Sequence, residues 1–455
     1  MSNLINGFEK KVVAKIVDKI ISCDKNERRN YLLKLVYFSE EIAGSLFQKD
    51  SYEDAKKLIL APDGKWFNYV ESLIAEIDHN VLRTTALNLG FEAAYLGTSA
   101  VHAKRKEYGF NVPWVILLDP TSACNMRCKG CWAAEYGHNL SLSYETMDRA
   151  ITEAKEMGIR FFIYTGGEPL LRRDDILRLC AEHDDCYFLA FTNGTLVTEN
   201  FCQEMLEVGN LSLALSLEGF EKDNDARRGR GAFQRTLAAM DLLKHHKLLF
   251  GASVCYTRAN LEMVTSDDFL ELLVQKGCRY SWYFHYMPVG SGAVKELMPT
   301  AKQREYIYHR LREIRGARGG KPIFAIDFQN DGEYIGGCIA GGRNYLHINA
   351  NGDVEPCVFV HYSQANIKQD SLLQALQQPL FLAYRDNQPF NSNHLRPCPM
   401  LENPEFLQHM VETTKAVSTD LEAQEDVQDL CAKCSEYSKE WQPVADRLWA
   451  QSHNY

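Results

Sequence analysis

Apolar residues recur at helical spacing through the first quarter of the chain. Phe8, Val12, Val13, Ile16, Val17, Ile20 and Ile21 form one stripe, with Lys11, Lys15 and Lys19 on the other side. This pattern predicts an amphipathic opening helix. Similar patterns cover 28–47, 52–60, 66–78 and 81–105, so residues 1–110 read as an all-helical domain. The stripe is expected to pack on its neighbours. The basic face also makes this helix a candidate for peripheral contact with a membrane.

From Pro113 the rhythm changes. Apolar runs at 114–118, 161–164, 187–191, 211–217, 250–256 and 280–286 alternate with amphipathic segments near 143–157, 174–183, 199–208, 232–245, 266–276 and 300–315. Six strand–helix units in order predict a parallel sheet with crossover helices. Runs without polar alternation predict burial on both faces. The expected fold class is therefore α/β: a partial (β/α)6 barrel over 111–318, preceded by the helical domain and followed by a small domain over 319–455. In that last region Asn351-Gly352, between short apolar runs, is a hairpin signal.

A chain of 455 residues has room for two or three domains. Its formal net charge of -10 speaks against a dedicated nucleic-acid binder. The opening segment is broken by charges too often for a signal peptide, and no apolar run approaches the roughly 18 residues of a membrane span. A cytoplasmic location is expected.

Fourteen cysteines change the picture. Cys124, Cys128 and Cys131 follow the first predicted strand at its C-terminal end, the face of a parallel barrel where chemistry sits. Three closely spaced thiolates hold three irons of a cubane cluster and leave the fourth iron open. The alternative is structural zinc, which needs a fourth ligand such as His138. A second group comprises Cys338, Cys357, Cys398, Cys431 and Cys434, again with zinc as the alternative to iron and sulfide. Cys23, Cys180, Cys186, Cys202, Cys255 and Cys278 are scattered and read as ordinary thiols.

The first motif resembles that of the radical S-adenosylmethionine superfamily, and the likeness continues strand by strand. Gly166-Gly167-Glu168-Pro169 follows the second strand, Thr192-Asn193-Gly194 ends the third, and Ser216-Leu217-Glu218-Gly219 ends the fourth, with Arg227 and Arg228 beyond. The resemblance implies a [4Fe–4S] cluster with an open iron and S-adenosylmethionine as cofactors. It implies reductive cleavage to a 5′-deoxyadenosyl radical and hydrogen abstraction from a substrate. On this reading Glu168 faces the methionine amino group within a pocket that includes Gly166, Gly167, Pro169 and Asn193. Ser216, Glu218 and Arg228 lie near the ribose and carboxylate, although the sequence does not choose between Arg227 and Arg228. One position departs from the pattern. The aromatic residue that many relatives carry before the third cysteine is Gly130 here, with Trp132 just after Cys131. Either Trp132 borders the adenine or backbone does.

The second cysteine group resembles the opening of SPASM and twitch domains, with thirteen residues between Cys338 and Gly352 and four between Gly352 and Cys357. It implies one auxiliary [4Fe–4S] cluster held by Cys338, Cys357 and two of Cys398, Cys431 and Cys434. The full SPASM pattern has a further cysteine where Glu440 stands. Val358 replaces the Asp of sulfatase-maturing members, which speaks against their oxidation. The subgroup implies modification of a peptide or protein side chain, with a lipid or small metabolite as the alternative substrate. A low-potential donor such as flavodoxin or ferredoxin is the implied redox partner. Tyr283, His285 and Tyr286, and Asp327, Gln329 and His361 near the hairpin, are candidate substrate contacts. A redox relay without cofactor cleavage and a zinc-stabilised scaffold are the competing classes.

Overall fold

The computed structural model describes residues 2–44, 49–61, 64–290, 292–316 and 321–453. The short apolar runs become strands of one sheet whose outer face is covered by helices and whose inner face closes around a cavity. β1 (Val115–Leu118) and β2 (Phe161–Tyr164) are buried at every position. β3 (Tyr187–Thr192), β4 (Leu211–Ser216), β5 (Phe250–Tyr256) and β6 (Tyr280–His285) follow, each parallel to the one before. The sheet then goes further than the six expected strands. β7 (Phe324–Asp327) pairs parallel with β6, β8 (Tyr345–Ile348) pairs parallel with β1 at the opposite edge, and β9 (Val354–Glu355) folds back antiparallel on β8. The strand order is β7-β6-β5-β4-β3-β2-β1-β8-β9. The boundary expected at 318 lies in 317–320, outside the described residues.

The outer face of the sheet, including Ile116, Leu118, Phe162, Tyr164 and Phe188, packs into one core with the crossover helices. The inner face, including Val115, Leu117, Phe161, Ile163 and Leu189, belongs to a second core that runs on into Val358, Leu401 and Trp441. Barrel and C-terminal region thus share apolar packing. Side chains from β1, β2, β6 and β7 line one cavity of about 1010 Å³, so the sheet curls around it.

The opening helix spans Ser2–Ser22, and Val13 and Val17 bury against Leu87 and Phe91. Its apolar stripe is covered by the chain itself, with Phe8 left 69% exposed. The expected helix 28–47 is observed as Lys25–Ala43, and residues 45–47 lie outside the described residues. The predicted 81–105 helix is one continuous rod whose centre, Ala86–Gly97, is π-helical. No described helix is long and apolar enough to cross a membrane.

Buried charge ties β1 to β8 and β9. His347 lies 2.9 Å from Asp119 and 2.7 Å from Glu355, all three inaccessible to solvent. Glu355 also accepts hydrogen bonds from Tyr136, Thr419 and Asn349. Burial alone lowers the His347 pKa, but the Asp119 and Glu355 carboxylates outweigh it and raise it to about 10. Replacing His347 with Ala, which leaves two buried carboxylates unpaired, is expected to cost about 3–5 kcal/mol. Because the folded pKa is raised, the wild-type contribution is complete below the histidine's unfolded value of about 6.5 and lost as pH rises through about 10. Anaerobic denaturant titrations of wild type and His347→Ala across that window test this. A stability difference independent of pH would show that His347 is neutral.

Candidate functional site

β1 runs out into a loop that carries three thiols, and its neighbours hold that loop by backbone. Gly167 N–H donates to the Thr121 carbonyl at 3.0 Å and Glu168 N–H to the Ala123 carbonyl at 2.8 Å. The approach is so close that a Cβ at Gly167 would run into the Ala123 carbonyl, and Gly166 has φ +98 with Asp119 directly beneath it. The Glu168 carboxylate, 1% exposed, accepts from Leu170 N–H at 3.0 Å, Thr192 Oγ1 at 2.6 Å and Asn193 N–H at 2.8 Å. Burial pushes its pKa up despite those three donors. Asn193 returns the link by donating to Asn125 Oδ1 at 2.8 Å.

Cys124, Cys128 and Cys131 all line the cavity, as do Gly166, Gly167, Glu168, Asn193 and Ser216. Burial pushes the Cys124 thiol up to about 11, with Glu168, Cys131 and Cys128 adding to it. Burial also raises Cys128, against the pull of Arg228 and Arg227. Buried, mutually repelling thiols gain most from a cation, which deprotonates them on binding. Arg227 and Arg228 line the cavity beside them, and both bond to Glu218, Arg228 at 3.0 Å through Nε and 2.6 Å through Nη2. Glu218 Oε2 is buried without a hydrogen-bond partner among the described residues. Glu218 therefore sits behind the arginines rather than on the cavity wall, and Pro169 sits behind Glu168 as the start of a short 3-10 turn.

Gly130 solves a packing problem that its neighbours pose. With φ +64 it leaves room for the ring of Tyr286, whose Cε2 and Cζ would lie 2.9 and 3.1 Å from any Cβ there. Trp132 lines the cavity too, with its ring edge-on to His347 at 5.8 Å and Phe359 at 6.2 Å.

The other candidates divide. His285 and Tyr286 reach the cavity. Tyr283 points to the opposite face of β6, where its hydroxyl donates to the Val264 carbonyl at 2.9 Å. Asp327 caps its own turn by accepting from Asn330, and Gln329 accepts from His285 N–H at 2.9 Å. His361 pairs with Asp420 at 2.6 Å and stacks on Tyr136 at 4.4 Å. These last four are not on the cavity wall.

In the C-terminal region Cys338, Cys357 and Cys398 are half-buried within electrostatic reach of one another. Burial pushes Cys338 up to about 12 and Cys357 up to about 11. Their sulfurs receive donors: Tyr345 O–H to Cys357 at 2.6 Å, Phe359 N–H to Cys357 at 3.5 Å, and Met400 and Leu401 N–H to Cys398 at 3.4 Å. Tyr384 feels these three thiols and Cys431 together. Cys431 and Cys434 sit one turn apart on the last helix, Val427–His453. A polar chain joins this region to the cavity. His285 Nδ1 faces the Tyr286 carbonyl at 2.6 Å and so carries the proton, while Nε2 accepts from Tyr437 O–H at 2.8 Å. Arg304 donates to Tyr437 at 3.3 Å and pairs with Glu402 at 2.5 Å, and Glu402 accepts from Cys398 N–H at 2.7 Å. Burial, with Arg304 nearby, lowers the His285 pKa to about 3, so the imidazole is neutral.

Comparison with known proteins agrees with this geometry. The family model of the radical SAM superfamily matches residues 118–274, and that of the SPASM iron–sulfur cluster-binding domain matches 338–400. The chain belongs to the radical SAM superfamily and carries a SPASM domain. The AdoMet-dependent heme synthase of Methanosarcina barkeri is 28% identical over 286 residues, 57% of this chain and 80% of the relative. The mycofactocin maturase MftC of Mycolicibacterium smegmatis is 27% identical over 301 residues, 62% and 75% of the two chains. The structure of Streptococcus suis SuiB bound to S-adenosylmethionine superposes with a TM-score of 0.56 at 17% identity, covering 91% and 93% of the two chains.

A radical SAM enzyme uses a [4Fe–4S] cluster with S-adenosylmethionine, and the SPASM domain adds auxiliary iron–sulfur chemistry. In this radical SAM enzyme the cavity also reaches residues that sequence patterns did not single out. Arg105 and Arg343 look like surface charges in the sequence, and Cys255 looks like one more apolar thiol on β5. Gly167→Ala is expected to push the 121–124 backbone aside. It should lower reconstituted iron content and S-adenosylmethionine binding severalfold, measured by iron analysis and equilibrium dialysis; wild-type values for both would show that the close approach is dispensable.

Proposed function

We propose that this enzyme binds a [4Fe–4S] cluster through Cys124, Cys128 and Cys131 and abstracts a hydrogen atom from a substrate held in the barrel cavity. The observation that carries this reading is the opening of all three thiols, the Gly166–Glu168 turn, Ser216 and Arg228 onto one cavity. Cluster and S-adenosylmethionine together supply the 5′-deoxyadenosyl radical, so the protein's work is positioning and exclusion of water. Glu168, already fixed by three donors, accepts from the cofactor's ammonium. Arg227 and Arg228 offset the negative charge of a thiolate-bound cluster, and Glu218 positions them. Tyr286, packed on Gly130, is the aromatic wall for the adenine, and Trp132 braces the loop from the C-terminal side.

Cys338, Cys357 and Cys398, with one of Cys431 and Cys434 as the fourth ligand, hold one auxiliary [4Fe–4S] cluster. The domains we assign are 1–110, 111–318 and 319–455, although β7 and β8 of the last complete the sheet of the second.

For the substrate, two readings have support. A peptide or protein side chain follows from the SPASM subgroup and from relatives named mycofactocin maturase and PqqA peptide cyclase. A largely apolar lipid or small metabolite is favoured by the cavity itself, lined by rings such as Trp114, Phe161, Trp282, Phe284 and Phe328. A low-potential donor such as flavodoxin or ferredoxin supplies the electron.

The reading is tested with anaerobically reconstituted protein, dithionite and S-adenosylmethionine. Wild type forms 5′-deoxyadenosine, the Cys124/Cys128/Cys131→Ala variant forms none, and Cys338→Ala with Cys357→Ala retains uncoupled cleavage. Wild-type cleavage by the triple variant would overturn the assignment. A wild-type sample with intact clusters that forms no 5′-deoxyadenosine would instead favour a redox relay.

A further inference from the structure

Five arginines line the cavity, and three of them are matched by carboxylates. Arg227 and Arg228 bond to Glu218, and Arg315 pairs with Asp331 at 2.5 Å. Arg105 and Arg343 are different. Arg105 donates to the Val112 carbonyl at 2.9 Å, to Asn344 Oδ1 at 3.3 Å and to the Arg343 carbonyl. Arg343 donates to the carbonyls of Cys338 at 2.8 Å and Ile335 at 2.7 Å. Among the described residues no carboxylate pairs with either. Two half-buried cations are thus hydrogen-bonded side by side to neutral acceptors, with the Cys338 thiol acting on Arg343 alone, and burial together with Arg343 brings the Arg105 pKa down to about 10. A guanidinium pair in this situation gains from an anion.

Its place in the cavity says which anion. The Asn344 carbonyl accepts from Trp114 and Val115 N–H, so the pair stands at the N-terminal start of β1. The thiols of Cys124, Cys128 and Cys131 lie beyond the other end of β1, whose four residues span about 10 Å at the ~3.3 Å rise per residue. Between the two ends the wall is aromatic. We propose that Arg105 and Arg343 form an anion subsite that anchors a carboxylate or phosphate at one end of an apolar substrate, whose other end reaches the cofactor. The inference rests on the proposed seating of substrate in this cavity and deepens its apolar-substrate reading.

The probes are three twelve-carbon compounds, dodecanoate, dodecyl phosphate and dodecanol, titrated into anaerobically reconstituted holoenzyme and followed by tryptophan fluorescence and calorimetry. Either acid is expected to bind about tenfold or more tighter than the alcohol, as suits a charge-assisted pair of bonds. The tighter of the two tells carboxylate from phosphate. The preference should shrink to near unity in Arg105→Gln and Arg343→Gln and partly return in Arg105→Lys. Should a glutamine variant lose iron or fold poorly, the wild-type preference and its weakening by salt still decide the matter. Equal wild-type affinity for acid and alcohol overturns the subsite, as does an undiminished preference in the well-folded glutamine variants. Measuring 5′-deoxyadenosine in the same wild-type sample keeps the two claims apart: its absence undoes the proposed function without altering the binding preference, whereas its presence with no preference for acids removes the subsite alone.

Discussion

The site depends on one close approach of backbone to backbone. Residues 167 and 168 donate to the carbonyls of Thr121 and Ala123, at a separation that leaves no room for a Cβ on Gly167. That contact docks the thiol-bearing loop onto the end of β2. Glu168 then carries the constraint to β3 by accepting from Thr192 and Asn193, and Asn193 returns it to Asn125 inside the loop. A three-cysteine loop left to itself has many conformations, and ordering it costs entropy. Here ordering is spread over two backbone bonds and one buried carboxylate, so the thiols face the cavity by default.

The C-terminal region is not an appendage to this arrangement. It shares the inner core with β1 and β2, donates β8 and β9 to the sheet, and meets the barrel through buried charge at His347 and Arg304. Desolvated pairs of this kind add little net stability, but breaking one is costly. They act here as register pins. The chain His285–Tyr437–Arg304–Glu402 ends on the backbone of Cys398, so a cavity residue and a candidate auxiliary ligand are fixed relative to each other by four consecutive contacts.

Much of this was legible in the sequence. Strands β1 to β6 appeared as short, largely apolar runs because the sheet has one face against helices and the other around an aromatic-lined cavity, and the thiol and glycine motifs fell at the strand ends that parallel topology brings together. What escaped reading escaped for local reasons. β7 is four residues long with Phe324 46% exposed, and β8 carries His347 at its centre, so neither shows an apolar run. Tyr283 and His285 share a parity on β6, which gave no reason to separate them; the strand ends at His285, which lines the cavity where Tyr283 does not. The packing of Tyr286 on Gly130, more than 150 residues back along the chain, is a contact between distant positions and leaves no local pattern. Arg105 and Arg343 are hidden more thoroughly still, because what marks them is the absence of a nearby carboxylate, a property of space and not of order along the chain.

The distribution of polarity within the cavity follows from these placements. Charged and hydrogen-bonding groups gather where the loop after β1 meets β2, β3 and β4, and Arg105 and Arg343 gather at the opposite strand ends, while the span between them is walled by aromatic and aliphatic side chains. A highly reactive carbon radical attacks whatever hydrogen lies nearest, so selectivity has to come from where the substrate is held. An apolar middle gives grip without direction, since burial of hydrophobic surface is not directional. Direction needs a fixed polar contact away from the reacting atom, where it holds the substrate's register without presenting an abstractable hydrogen to the radical. The proposed guanidinium pair, at the other end of β1 from the thiols, meets that requirement, and its backbone anchors on Val112, Ile335 and Cys338 tie it to the same framework that holds the cysteines.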